Sequence, residues 1–334
     1  MALSLSLALR QGLRTSRVSY LRATSSSVVS NMRSLHDHQA SLPRLPVPPL
    51  EDTLNKYLKS IKPVVTEEEF MMTEEIVTKF AAPGGVGKKL QSILEKRAAN
   101  TDNWLSDWWL NAAYLDFRSP VVVWSSPGLV FPLQDFKSLD DQLNYAAKLI
   151  SGALDYKIMV DEETVPIDRS GKDLLDMSQY FKIFGTCRIP GVTRDFLSYF
   201  CQEPNPPKHI IVVHNNHFFK IDVYGKEGKP LNVNQLKSQL RDSVERSTFP
   251  AKPIGILSTQ NRNVWGKACK QLSKDRNNRA SIKEIQRGIF LVCLDGPVIN
   301  PSGNRMNDAA LQCIHGNGSK GYAGNRWYDK TIQF

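Results

Sequence analysis

Apolar positions recur at helical spacing over much of the chain. Leu50, Leu54, Tyr57, Leu58 and Ile61 predict a helix over 50–61 that Pro63 stops. Thr66 with Glu69 three residues on reads as a capping box opening a second helix over 66–80. A third helix follows over 87–98, after the glycine-rich stretch 82–89. That stretch lacks the GxxxxGK[ST] spacing and a preceding strand, so it reads as a connector and not as a phosphate loop. The stretch Asn103–Gly128 is the most informative. Trp104, Leu105, Trp108, Trp109, Ala112 and Leu115 predict a helix with one broad apolar face, started by Thr101 or Asp102. Pro120 disfavours helix at Ser119 and ends it. The β-branched run Val121–Trp124 then reads as a buried strand, and 125–128 as a turn.

Further on, the pattern predicts a helix within 135–154, a strand at 156–160, turns over 161–168 and a helix at 177–184. The clearest signal is a hairpin, 209–213 and 217–224, joined at Asn215-Asn216, which suits a type I′ turn. After it come a helix at 231–247, a strand at 254–258, helices at 263–272 and 281–287, a strand at 288–294, a helix at 307–315 and the start of a strand at 331–334. Helices and strands alternate without a regular βαβ repeat. The expected fold class is therefore α/β of the α+β type, a mixed β-sheet flanked by helices.

Charge divides the chain. Residues 1–36 hold five arginines and no acid, and the composition changes at Asp37. This predicts a mitochondrial presequence; a secretory signal would place its positive charge before the apolar run at Leu3–Leu9, and none stands there. Residues 37–49 read as a proline-rich, extended lead-in, and 50–334 as the folded part. The formal charge of +10 falls to 38 basic against 33 acidic residues beyond the leader, with no basic stripe evident on one element, which argues against a nucleic-acid partner. Five widely spaced cysteines without a CxxC pair predict reduced thiols and no zinc site. No apolar run has the length of a membrane span.

Six histidines are candidates for chemistry. His36 and His38 fall at the leader boundary. His214 and His217 flank the hairpin turn without a carboxylate or cysteine cluster, so no metal site is expected. His315 stands in the sequence HGNGS near Asp329, at the head of a glycine-rich loop whose turn chemistry makes it read as structural. No Ser/His/Asp set has recognisable spacing.

The chain resembles the choline/carnitine acyltransferase family, above all its short-acyl, carnitine-using members. The resemblance runs through Leu42–Pro48, WWLNAAY at 108–114, Cys187–Gly191, Ile256–Ser258, Asn261–Trp265, Val292–Asp295, HGNGS at 315–319 and Asn325–Thr331, in family order. It implies half of a two-domain fold, each domain with a mixed sheet and the active site in a tunnel between them. It also implies reversible transfer of short acyl groups between CoA and carnitine, with CoA or acetyl-CoA as substrate and no bound cofactor. The family's catalytic histidine belongs to a Tyr-Glu-His motif after the Asn-Arg-Trp block, beyond Phe334, so no catalytic residue is expected in this chain. By resemblance, Trp109 and Tyr114 approach the carnitine side of the tunnel, where aromatic faces attract a trimethylammonium group. Arg326 matches an arginine near the catalytic segment that could hold a carboxylate; a buried structural ion pair is the alternative. Asn317 stands where the family has glycine. Other readings remain open: a non-catalytic binding or regulatory fragment, choline as acceptor, or a longer acyl donor. The expected location is mitochondrial, in the matrix or at the inner membrane, with peroxisomal forms possible in the family.

Overall fold

The computed structural model describes residues 35–334; the leader assigned to 1–36 lies almost wholly outside them. The chain forms two compact units, Ser41–Tyr114 and Leu115–Phe334, the second including the described residues up to Ala40.

The first element is the short helix α1, Leu35–Ala40. His38 is buried, its Nε2 2.9 Å from the Leu175 carbonyl, and Gln39 accepts from the Met177 N–H at 3.1 Å. His38 therefore belongs to the fold, and the start of the expected extended lead-in is helical. The unit Ser41–Tyr114 is built from α2 (Leu50–Ile61), α3 (Glu67–Ala81), α4 (Val86–Ala99) and α5 (Ser106–Leu110). Thr66 and Glu69 form the expected capping box, with Glu69 N–H donating to Thr66 Oγ1 at 3.3 Å and Thr66 N–H donating to Glu69 Oε2 at 2.9 Å. The glycine stretch is a helix connector: Gly85 caps α4, and Gly84 adopts φ 76°. After α5 comes one π-helical turn, Asn111–Leu115.

In the larger unit, Val121–Trp124 is not a strand but a single helical turn, α6, with Pro120 at its N-cap and Ser125 N–H donating to Val121 O at 3.0 Å. Proline suits a helix start as well as a helix end, and among the described residues no strand pairs with this run. The next helix, α7 (Leu139–Asp161), is capped by Ser138 and Asp141 and continues through the residues expected as a strand. Its buried stripe, Leu143, Ala146, Ala147, Ile150, Ala153, Leu154, Lys157 and Val160, keeps spacings of three and four to the end. Two short hairpins follow: β1 (Arg169–Ser170) with β2 (Asp173–Leu174), and β3 (Thr186–Ile189) with β4 (Phe196–Tyr199). Only a 3₁₀ turn, Tyr180–Lys182, stands where a helix was expected at 177–184.

The central sheet has the order β6-β5-β7, from β5 (His209–His214), β6 (His217–Asp222) and β7 (Leu291–Cys293). β5 and β6 form the expected hairpin, with Asn215 and Asn216 at φ 47° and 65°, as a type I′ turn requires. β5 and β7 are parallel, so the sheet is mixed. The last residues extend it, with Gln333 bridging in parallel to Leu291. β5 is buried on both faces. Ile210 and Val212 enter one core with α7, Phe290 and Val292. Ile211 and Val213 enter a second core with Trp265, Ile282, Ile285 and Trp327. The helices α8 (Val233–Glu245), α9 (Arg262–Leu272), α10 (Arg276–Arg287) and α11 (Arg305–His315) complete the unit. Ile254–Thr259, expected as a strand, is 3₁₀ helix. Gly255 lies so close to the Arg326 and Gly324 carbonyls that a Cβ there would collide with them, and Ser258 Oγ accepts from the Tyr328 N–H at 3.0 Å. Among the described residues, no helix is long and apolar enough to cross a membrane.

Candidate functional site

Three of the sequence blocks quoted above meet in space. Asp195, fully buried, accepts from Arg188 Nε at 2.6 Å, Arg262 Nε at 2.7 Å, Arg118 Nη1 at 3.1 Å and the Gly191 N–H at 3.0 Å. The other end of Arg262 lies 2.7 Å from Asp329 Oδ1, and Asp329 Oδ2 accepts from Trp265 Nε1 at 2.6 Å. Arg118 also donates to Gly191 O and to Asn263 Oδ1, both at 2.8 Å. Burial pushes the Asp195 carboxyl upward, but Arg262, the Gly191 N–H and Arg188 outweigh it, and the net direction is down. Charges taken this far from water persist only when paired; even so, Arg262 Nη1 is buried without a hydrogen-bond partner. The Cys-Arg-Ile-Pro-Gly, Asn-Arg-Asn-Val-Trp and Asn-Arg-Trp-Tyr-Asp blocks are thus tied by one ionic knot. Asp195 itself belongs to none of them, and sequence reasoning missed it; its only local signal is a lone acid between Arg194 and an apolar pair.

Beside this frame stands Arg326. Its Nη1 and Nη2 donate to Asp295 Oδ1 and Oδ2 at 2.9 and 2.6 Å, a two-pronged buried pair, and Nη2 also reaches Gln312 O at 2.8 Å. Asn325 Nδ2 donates to Asp295 Oδ1 at 3.1 Å, and Gln312 Nε2 to Oδ2 at 3.3 Å. Burial opposes the Arg326 charge, yet the Cys293 and Asp295 groups beside it raise its pKa. What Arg326 makes in this structure is a buried ion pair with Asp295, the arrangement given above as the alternative reading. The pair ties the end of β7 to α11 and to the Asn-Arg-Trp block.

The HGNGS loop leaves α11 through a left-handed turn. Gly316, Asn317 and Gly318 have φ 61°, 58° and 78°. Asparagine tolerates this region, so Asn317 fits in place of glycine. His315 is the last residue of α11, and its Nδ1 is buried without a hydrogen-bond partner. The neighbouring Tyr328 hydroxyl donates to Ile314 O at 2.9 Å. Among the described residues, no carboxylate bonds His315. His214 Nδ1 lies 2.8 Å from Ser247 Oγ and His217 Nε2 2.9 Å from Phe249 O, so both bind the α8 exit. All five cysteines are free, and burial pushes the Cys187 and Cys293 thiols up to about 12.

Trp109 and Tyr114 belong to the other unit, on α5 and the π turn after it. The expected core face is absent: Trp109 is 59% exposed, Trp108 47% and Tyr114 38%. Trp108 is held by Arg97, 4.7 Å above its ring, and by an edge contact with Trp104 at 6.2 Å. Trp104 Nε1 in turn donates to Pro46 O at 3.3 Å. Neighbours thus hold Trp104 and Trp108, while Trp109 presents most of its indole to solvent.

A family model described as choline/carnitine O-acyltransferase matches residues 45–334. Carnitine O-acetyltransferases from Homo sapiens and Mus musculus are 49% and 50% identical to the chain over 299 residues, which is 89% of this chain and 48% of theirs. Choline O-acetyltransferase from Gallus gallus is 43% identical over 307 residues, 89% of this chain and 47% of its own. The chain spans about half the length of the curated relatives it matches.

Proposed function

Because the chain belongs to the choline/carnitine O-acyltransferase family, we propose that it forms the front half of an enzyme that moves short acyl groups between CoA and carnitine. The observation that carries this reading is the gap in identity: 49–50% to the carnitine O-acetyltransferases against 41–43% to the choline O-acetyltransferases, over nearly the same stretch. CoA or acetyl-CoA enters as substrate.

Acyl transfer needs a base for the attacking hydroxyl and donors for the oxyanion of the tetrahedral intermediate. We assign the base to a histidine beyond Phe334, in the stretch that the longer relatives have and this chain does not. Trp109 and Tyr114 offer aromatic faces to the trimethylammonium group. Cation–π attraction is worth about 0.5–2 kcal/mol depending on how well the site is dried. Arg326, fixed by Asp295, holds the block that precedes the catalytic segment and acts as a positioning residue. Residues 1–36 serve as a mitochondrial presequence, and 50–334 as the front part of the acyltransferase fold. Choline as acceptor is the competing reading, supported by the choline O-acetyltransferase relatives.

The test is thiol release from acetyl-CoA on adding carnitine. The 334-residue chain alone should give none, and a polypeptide continued to the length of its relatives should give carnitine-dependent release. Release by the 334-residue chain would refute the placement of the base.

A further inference from the structure

Beyond the leader the chain carries 38 basic and 33 acidic residues. Residues 267–287 alone hold seven basic residues against two acidic ones, a surplus equal to that of the whole of 37–334. The expectation that no element carries a basic stripe is overturned here: the structure lays this charge out as two stripes. On and just after α9, Lys267, Lys270 and Lys274 follow one another at spacings of three and four. Along α10, Arg276, Arg279, Lys283 and Arg287 do the same at three, four and four. Such spacing puts each set on one helix face. The opposite faces are committed inward: Trp265 and Cys269 of α9 and Ile282 and Ile285 of α10 enter the same apolar core. The two stripes therefore sit on consecutive helices anchored to one core and joined by three residues.

These cations are left without counter-charge. Lys267, Lys270, Lys274, Arg276, Arg279 and Lys283 are exposed, and among the described residues none of the six pairs with a carboxylate. Of the two acids in the segment, Asp275 caps α10 and Glu284 is taken by Lys220 at 2.7 Å; Arg287 pairs with Glu203. Elsewhere in the larger unit, cations such as Lys237, Arg241 and Arg305 do have acidic partners. Six like charges on two consecutive helices repel one another and are relieved by an extended anionic surface.

We propose that the α9–α10 face docks the protein on a membrane surface rich in anionic phospholipid. The proposal does not depend on the catalytic reading. Trp265 is the one aromatic residue in 262–287 and is fully buried, so this face offers no platform for stacking the bases of a single strand. The apolar side chains of α10 are spent on the core, so the contact is one of charge with headgroups, without insertion, and it weakens as salt shortens the Debye length.

Co-sedimentation of the full chain with vesicles tests this. Vesicles of phosphatidylcholine with about 30 % phosphatidylglycerol should bind it in about 0.1 M KCl and release it in about 1 M KCl. Pure phosphatidylcholine should not bind it. Two variants address the helices separately: Lys267→Gln/Lys270→Gln/Lys274→Gln and Arg276→Gln/Arg279→Gln/Lys283→Gln. Each should weaken binding at least about tenfold with an unchanged near-ultraviolet circular dichroism spectrum, and if one misfolds the other still decides. A third variant, with the five leader arginines changed to glutamine, should stay within about threefold of the parent. No binding by the parent, retained binding by a folded helix variant, or loss of binding in the leader variant would overturn the proposal. Tighter binding to a DNA duplex than to the vesicles in the same buffer would overturn it in favour of a nucleic-acid partner.

Discussion

Asp195 accepts from three arginines and one backbone amide while fully buried. Asp195→Asn would leave the buried Arg262 and the half-buried Arg118 and Arg188 facing a neutral amide. Breaking a buried pair in this way costs about 3–5 kcal/mol, to be read as a drop in the urea midpoint. Arg326→Lys keeps the charge but loses the planar fork that meets both Asp295 oxygens, and it should cost less than Arg326→Met, which strands Asp295. Trp109→Ala removes a side chain that is largely in water, so stability should hold. In an enzyme of full length the same change should raise the KM for carnitine by about 3–30-fold if the indole meets the trimethylammonium group. A lowered stability with an unchanged KM would show Trp109 to be packing only.

At the scale of elements, the parts legible in the sequence are those decided by local chemistry. The Thr66/Glu69 box, the Asn215-Asn216 turn and the stripe of α2 each stabilise one local conformation whatever surrounds them. Thr66→Ala should therefore cost α3 about 1 kcal/mol, visible in the chemical denaturation of the chain. The misread elements are those decided by distant partners. Val121–Trp124 has strand-forming residues but no strand to pair with. Tyr156–Val160 looks like a strand in isolation and is helical because the stripe from Leu143 onward runs through it. The strands β3 and β4 escaped notice because β3 carries Arg188, whose inward side chain makes sense only once Asp195 is in place. The candidate site shows the same division. The motif residues were legible as a family pattern, but their service as an ionic frame was not, because the aspartate that joins them lies outside the motifs. The aromatic run of 104–114 was legible as unusual, yet its exposure follows from a short helix and a π turn that no periodicity announces.

At the scale of the whole molecule, the pH response follows from buried histidines. Burial lowers the pKa of His209, whose Nε2 lies 3.0 Å from Glu284 O, and Glu284 opposes this only in part. Burial likewise lowers that of His214. A histidine held neutral in the fold but free to charge when unfolded contributes stability that is present above its unfolded pKa, near 6.5, and is lost as pH falls toward the folded value. The urea midpoint should fall between about pH 7.5 and about pH 5.5, and the double substitution His209→Gln/His214→Asn should flatten that fall. The choice of acceptor belongs to the full-length polypeptide. The most direct measurement is the ratio of kcat/KM for carnitine to that for choline, with acetyl-CoA as donor, in a polypeptide that begins with these 334 residues and runs to the length of its relatives. The account predicts a ratio well above one, and one lowered by Trp109→Ala. A ratio below one, with choline the better acceptor, would contradict it.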